Sequence, residues 1–275
     1  MRVVALLAAY NESRFIDELI RHYSSQNVEI YLIDNCSTDG TPDIARRYYG
    51  HGVCGIETLP RDGVFRLRRL LERKEALAKS IEAQWFVHLD ADEFFLPPAD
   101  HRTLPEAFEA VERDGYNVVN FQEFTFTPTV ESPDHDHPDF RQTMLWYYPF
   151  LPKPVNGMRA WKAQTGRVEL AWSGGHHLRF PGLSLFPRSF SMLHCQFLSI
   201  PHVIEKYVNK SFDEGELQDG WHGWRARLRP EQIKLPSESE LRRYVVGRAL
   251  DASNPRKRHF LGLCKVLEIT SGTGS

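Results

Sequence analysis

The chain is short of cysteine, of long apolar runs, of net charge and of the glycine-rich loops that mark phosphate binding. Its four cysteines, Cys36, Cys54, Cys195 and Cys264, are scattered, with no CxxC pair. In a chain of 275 residues that spacing argues against a disulfide framework and for reduced thiols in a cytosol. No stretch of about 18 consecutive apolar residues occurs, so no membrane span is expected. The opening "VVALLAAY" turns polar too soon for a signal peptide and lacks its basic, apolar and small-residue regions. A formal net charge of −2 excludes a protein that binds nucleic acid through bulk charge. Neither GxGxxG nor GxxxxGK[ST] is present, which removes the usual phosphate-cradling loops. There is no internal repeat, and no linker poor enough in apolar residues to separate two independent domains.

What is present is ordinary globular material, 41% hydrophobic and 25% charged. Seventeen prolines and 12% aromatics fit many ordered loops, and aromatic loops suit sugars or bases. "RVVALLAAY" (2–10) and "VEIYLIDN" (28–35) are continuous apolar runs, as strands buried on both faces are. Between them Phe15, Leu19, Ile20 and Tyr23 recur at helical spacing. Thr41 as N-cap, Pro42 at the first position and Asp43 in the first turn predict a helix start. "GVCGIETLP" predicts a short third strand. The helix "RLRRLLERKEALAKSIEA" carries Leu67, Leu70, Leu71, Leu77, Ala78 and Ile81 on one stripe, interrupted by Lys74. "WFVHLDADEF" follows as a strand. This alternation predicts an α/β fold, a mixed and mostly parallel sheet flanked by helices, with right-handed crossovers.

Beyond Asp100 the pattern changes. A helix over Thr103–Glu112 and a strand "YNVVNFQEFTFTP", bending near Gln122, precede a loop-rich stretch over 130–187. "GRVELAW" and "HHLRF" predict a smaller second sheet edge, "PHVIEKYVNKSF" a helical segment and "SESELRRYVVGRAL" a last helix. The final "SGTGS" (271–275) reads as a flexible tail.

The stretch "WFVHLDADEFFLPP" is where chemistry enters. An apolar strand ends in Asp90, Asp92 and Glu93. Clustered carboxylates repel, and each costs free energy to desolvate unless a cation sits beside it. Two other strand ends are polar: Tyr10-Asn11-Glu12 and Asp34-Asn35. In open α/β sheets ligands bind at the carboxyl ends of the strands, so all three converge on one rim. Hard carboxylate oxygens suit Mg²⁺ or Mn²⁺, which bridge phosphate oxygens and take few protein ligands.

These motifs together resemble the family 2 nucleotide-sugar glycosyltransferases of the GT-A fold. "AAYNE", "LIDNCSTDGTPDIARRY" and "HLDADEF" carry the resemblance, the last in the place of that family's DxD metal motif. It covers residues 1–125, the nucleotide-sugar half. Residues 126–270 would be the acceptor half of the same domain, similar in "FQEFTF", "GGHHLRFPG", "LHCQFLS" and "GWHGWR" to a bacterial subgroup with a DADEF motif. The resemblance implies inverting transfer from a UDP-, GDP- or dTDP-sugar to a hydroxyl of a glycan, glycolipid or metabolite, as in polysaccharide biosynthesis.

It also implies roles. Ala9, Tyr10, Glu12, Asp34, Asn35, Lys74 and Asp90 would meet the nucleotide, with Asn35 standing where many relatives have a second Asp. Each has a plain structural alternative: Tyr10 as a rim aromatic, Glu12 as a helix-start acid, Asp34 as a turn cap. Asp90 and Asp92 would hold Mn²⁺ or Mg²⁺, and Asp92 would thereby act in catalysis. His194 in "SMLHCQF" would complete the metal site, ahead of His222 and of His176 or His177. Glu93 would support from behind. Glu123 is the candidate base for the acceptor proton, ahead of Asp136, and a sheet-edge acid otherwise. Trp221, His222, Trp224 and Arg225 would form an acceptor-binding lid, or a packed turn. "SPDHDHPDF" tempts a metal reading through His135, Asp136 and His137, although its two prolines favour a loop. Arg66 and Arg73 read as solvated. Two other functions compete. A sugar-1-phosphate nucleotidylyltransferase would need a glycine- and lysine-bearing loop after the first strand, which is absent. A non-catalytic carbohydrate-binding relative would show a broken DxD, and this one is intact. The expected location is cytoplasmic, with peripheral contact at the inner membrane face through basic loops such as "KPVNGMRAWK" and "NPRKRHF".

Overall fold

In the computed structural model, residues 1–152, 157–208 and 210–261 are described. Cys264 and the tail 271–275 lie outside them. In chain order the elements are β1 (Val3–Ala9), α1 (Ile16–Ser24), β2 (Val28–Asp34), α2 (Thr41–Arg46), β3 (Val53–Thr58), α3 (Leu67–Ser80), β4 (Trp85–Leu89), β5 (Glu93–Leu96) and α4 (Leu104–Arg113). There follow β6 (Val118–Phe126), α5 (Phe140–Thr143), β7 (Trp146–Phe150), β8 (Met158–Lys162), β9 (Phe190–Cys195), α6 (Ile200–Val203), α7 (Glu214–Gln218) and β10 (Arg242–Arg243).

The strands form one mixed sheet in the order β10-β7-β6-β8-β4-β1-β2-β3, with β9 pairing β6 and β5 pairing β9. β4, β1, β2 and β3 are parallel, as the β-α alternation requires. β1 shows why its run is continuous. Val3, Ala5, Leu7 and Ala9 face one core, while Val4 and Leu6 face the other. Each fully buried Val or Leu contributes about 1.5–3 kcal/mol of transfer free energy. α1 and α4 cover the first face, with Trp85 stacked on Phe108 at 4.7 Å. α3 covers the second through Leu70, Leu71 and Leu77.

Four expectations are corrected. Thr41 is not the N-cap of α2. Gly40 holds that place, and Asp39 caps from one residue further out, its Oδ1 accepting both the Thr41 N–H (2.9 Å) and hydroxyl (2.6 Å). The strand read through "DADEF" stops at Leu89; the chain turns over Asp90–Asp92 and restarts as β5, antiparallel to β9. "GRVELAW" and "HHLRF" meet in a single bridge, Glu169 to Arg179. The chain there winds into a 3₁₀ turn at Ala171–Ser173 because Glu75 Oε1 accepts the Leu170 and Ala171 N–H groups, and Gly174 and Gly175 follow at positive φ. The last helix does not form. Ser237 and Glu240 close one 3₁₀ turn, then Arg242–Arg243 extend to pair with β7. The adjacent Val245 and Val246 are β-branched and poor helix formers.

β6 changes partners along its length. Val118–Asn120 pair with β8, Phe121–Phe126 with β9, and Glu123–Phe126 also with β7. This switch, just before the bend expected near Gln122, brings Glu123 onto the cleft wall.

Candidate active site

Ala9 pairs with Asp34, and Leu7 with Leu89, so Tyr10, Asn35 and Asp90 leave the sheet along one rim. The loops after β1 and β2 are laced together. Asn11 N–H donates to Ser37 Oγ (3.0 Å), Thr38 N–H to Asn11 Oδ1 (2.7 Å) and Ser13 N–H to Asp39 Oδ2 (3.0 Å). Thr41 Oγ1 accepts the Glu12 N–H at 2.8 Å, which fixes Glu12 toward the cleft. The cleft has a volume of about 410 Å³ and is lined by Ala9, Tyr10, Glu12, Asn35, Asp90, Asp92, Glu93, Glu123 and His194 from the acidic rim.

The carboxylates of the DAD turn are not alone. Lys206 Nζ lies 2.8 Å from Asp92 Oδ2 and 3.9 Å from Glu12. Burial alone would raise the Asp92 carboxyl, but the Lys206 ammonium and then His194 hold it well below the usual carboxylate range. Glu12 answers differently. Burial outweighs Lys206 and pushes its carboxyl up to about 7. Arg159 donates to Glu93 at 2.6 Å and stands 3.9 Å from Asp90. Lys74, 1% exposed, is 4.0 Å from Asp90 and donates to His88 Nδ1 and the Leu89 carbonyl, both at 2.8 Å. Burial pushes its ammonium down to about 8. The answer to the acidic strand end is therefore a set of interleaved cations, drawn from α3, β8 and the π-helical turn Ile204–Val208.

Glu123 and His194 form a second layer. Glu123 Oε1 accepts from His194 Nδ1 (2.6 Å) and from the Thr125 hydroxyl (2.7 Å). Burial would raise the Glu123 carboxyl, but His194 and then His259 bring it down to about 2. Burial would lower the His194 imidazole, yet Glu123 and Asp92 hold it well above its ordinary value. His194 Nε2 faces Asp92 at 3.4 Å. Both nitrogens of that ring thus face carboxylates, and in this structure His194 bridges Glu123 and Asp92.

Other expected residues fall elsewhere. Asp34 is buried and absent from the cleft wall, its oxygens accepting the Ser37 N–H; it is a turn cap. Lys74 faces inward as its stripe position implied, but toward Asp90 from below and not into the cleft. His222 and Trp221 reach the cleft, though not on a free lid. His222 Nε2 is bound to Glu216 at 2.7 Å, and Glu216 accepts the Leu67 and Arg68 N–H groups at the start of α3. Arg68 lies over the Trp221 ring at 4.5 Å. Arg225 lines the cleft; the side chain of Trp224 lies outside the described residues. Arg73 is paired with Glu57, and Arg66 lies 3.4 Å from Asp213. His176 lines the cleft too, burial pushing its imidazole down to about 4; His177 is not on the wall. His135 Nδ1 and His137 Nε2 share the Thr143 hydroxyl, and Asp136 is paired with Arg14.

Sequence reasoning missed Arg61, Arg159, Lys206, Lys210 and His259. Arg61 lies 3.7 Å over the Tyr10 ring and donates to Asn35 Oδ1. Arg159 alone interrupts a short apolar stretch, "GMRAW", while Lys206 follows Glu205 and stands out by no pattern. Arg61 and His259 sit in loops without a pattern.

Among the described residues no group of three or more His, Cys, Asp or Glu is arranged to hold a metal ion. The Asp90 carboxylate is half-exposed in the cleft, with Asp92 beside it. That donor set fits a hard cation held by one or two carboxylates and completed by phosphate and water oxygens. It does not fit a preformed cage.

Comparison with known proteins agrees with the rim motifs. A model described as glycosyl transferase family 2 matches residues 5–162. Loosely similar solved structures include S. aureus TarS (13% identity, 71% of this chain and 37% of that one, TM-score 0.42). Another is S. aureus TarS 1-349 in complex with UDP (13%, 72% and 61%, 0.43). A third is the mannosyltransferase PcManGT from Pyrobaculum calidifontis in complex with GDP-Man and Mn²⁺ (17%, 70% and 56%, 0.38). The chain spans 37% to 61% of the length of these three. No curated protein matches. The family match covers more than half of the chain and takes in β1, the DAD turn and the strand that supplies Glu123; the chain belongs to glycosyl transferase family 2.

Proposed function

We propose that this protein transfers a sugar, with inversion, from a nucleoside diphosphate-sugar to an acceptor hydroxyl, with Mn²⁺ or Mg²⁺ assisting. The observation that carries the reading is the half-exposed Asp90 carboxylate in a cleft whose walls alternate acids and cations. Tyr10, backed by Arg61, presents an aromatic platform for the base, and Asn35 lies beside it. Lys206, Lys210 and Arg225 line the space where a diphosphate would lie and can neutralise the charge that develops as it departs. Asp90 would hold the cation, joined by Asp92 once Lys206 turns to the diphosphate; bound there it would supply further neutralisation of the leaving group. Glu123, its carboxyl held down to about 2 by His194 and His259 against burial, stays ionised at neutral pH and would receive the acceptor proton. Among the described residues no helix is long and apolar enough to cross a membrane.

The test is calorimetric binding of UDP, GDP, dTDP, CDP and ADP, each with Mn²⁺ and with EDTA. One nucleotide binding tightly only with metal is the expected result and names the donor's base. No binding under any condition would sink the proposal.

A further inference from the structure

His259 is a cleft residue that neither the motifs nor the family reading assigned. It arrives on the segment after Asn254, which runs along the edge of β7: Arg256 N–H donates to the Pro149 carbonyl and Leu151 N–H to the Arg256 carbonyl, both at 2.9 Å. Its ring lies flat on Phe150, centroids 3.8 Å apart at 21°. Its Nδ1 is 3.0 Å from the Tyr148 hydroxyl. Its Nε2 is 3.9 Å from Glu123 Oε1. Around this ring stand Glu123 and His194 from β6 and β9, Arg225 from across the cleft, and Arg256 from its own segment.

That nitrogen-to-oxygen separation is too long for a hydrogen bond and too short for an oxygen atom in line with both. An oxygen about 2.8 Å from each atom sits off that line and bridges the two at roughly a right angle. We infer that the gap between the His259 ring edge and the Glu123 carboxylate is the subsite for the reacting hydroxyl of a carbohydrate acceptor, with His259 orienting that hydroxyl. The inference rests on the transferase reading above.

The chemistry is consistent at each atom. With the Tyr148 hydroxyl as donor to Nδ1, the ring proton sits on Nε2, the nitrogen nearer Glu123. Burial pushes the His259 imidazole down to about 4 despite Glu123, so the ring is neutral at neutral pH. Nε2–H donates to one lone pair of the acceptor oxygen. The acceptor O–H points at the Glu123 carboxylate, which takes the proton while its hydrogen bonds from His194 and Thr125 hold it in place. As it does, the acceptor oxygen bonds to the anomeric carbon. The bond from that carbon to the diphosphate breaks, and its electron pair leaves with the diphosphate.

Two measurements test this. In protein labelled with ¹⁵N-histidine, His259 is expected as the neutral Nε2–H tautomer at pH 7; a protonated Nδ1 there, neutral or charged, overturns the inference whatever the activity. The second uses the nucleotide sugar identified by the binding panel, with methyl β-glucoside as the acceptor probe and water as acceptor in its absence. His259→Ala should lower kcat by about 10- to 100-fold with the nucleoside diphosphate Kd unchanged. His259→Gln, whose amide can place an N–H near Nε2, should recover part of the loss. Unchanged kcat in His259→Ala overturns the subsite. A parent protein that binds no nucleotide removes the reading on which the subsite depends.

Discussion

His202 should make the fold acid-sensitive by an amount that can be isolated. It is 3% exposed and its Nδ1 accepts the Leu198 N–H at 3.1 Å, an arrangement that requires a neutral ring. Burial, then the Lys206 ammonium and the Arg14 guanidinium, push its imidazole down to about 3. The unfolded chain takes up its proton near pH 6.5 while the folded chain does not. Stability from this residue is therefore complete above about pH 6.5 and lost as pH falls from there toward 3. At pH 5.0 the unfolded residue is almost fully charged and the folded one almost fully neutral. That difference is worth about 2 kcal/mol relative to pH 7.5.

His202→Asn removes the titration and keeps an acceptor close to Nδ1. It also gives up the ring contact with Phe15, centroids 5.6 Å apart, at a cost of about 1–3 kcal/mol independent of pH. Urea unfolding of both proteins at pH 7.5 and pH 5.0, followed by tryptophan fluorescence, separates the two effects. The gap between parent and variant should narrow by about 2 kcal/mol at pH 5.0. The other titrating groups act in both chains and cancel. A gap of the same size at both pH values would refute the assignment of a neutral, buried His202.

Asp92→Asn should leave the melting transition cooperative and reduce turnover by about 10²-fold or more; an active variant would remove Asp92 from the mechanism. Glu123→Gln should lower kcat by about 10²–10⁴ with nucleotide affinity kept, and a normal kcat would move the base elsewhere. Lys206→Met strands the buried Asp92 charge and should destabilise the fold by about 3–5 kcal/mol. Asp92→Asn in the same chain should return most of that loss, and equal destabilisation with or without it would show that Lys206 acts through something else.

The sequence showed most where one physical rule acted alone. The parallel half was readable because strands covered on both faces must be apolar throughout, and because Phe15, Leu19, Ile20 and Tyr23 repeat at helical spacing. Asp90, Asp92 and Glu93 stood out because acids cannot end an apolar strand without a reason. The reason itself was hidden. Arg159 and Lys206 come from residues 69 and 116 positions beyond Asp90, placed by β8 crossing beside β4 and by a π-helical turn that no periodicity announces. The failed last helix had the right composition in "SESELRR", but a free edge on β7 competed for the same backbone groups and won. Asp34 turns to the Ser37 N–H for a similar reason: short acids after a strand satisfy the nearest N–H before any ligand arrives.

β6 has a bearing on engineering. It is one strand with two ladders, its first residues paired to β8 and its last held between β7 and β9. A chimera joined at residues 125 and 126, the seam that the resemblance implies, would splice mid-ladder and part Thr125 from its partners Tyr148 and His194. The graftable unit begins before Val118, after the Gly115 turn that ends α4. Exchanging the second half between relatives therefore means moving Glu123 along with the walls it faces. In this architecture Glu123 and those walls travel as one piece.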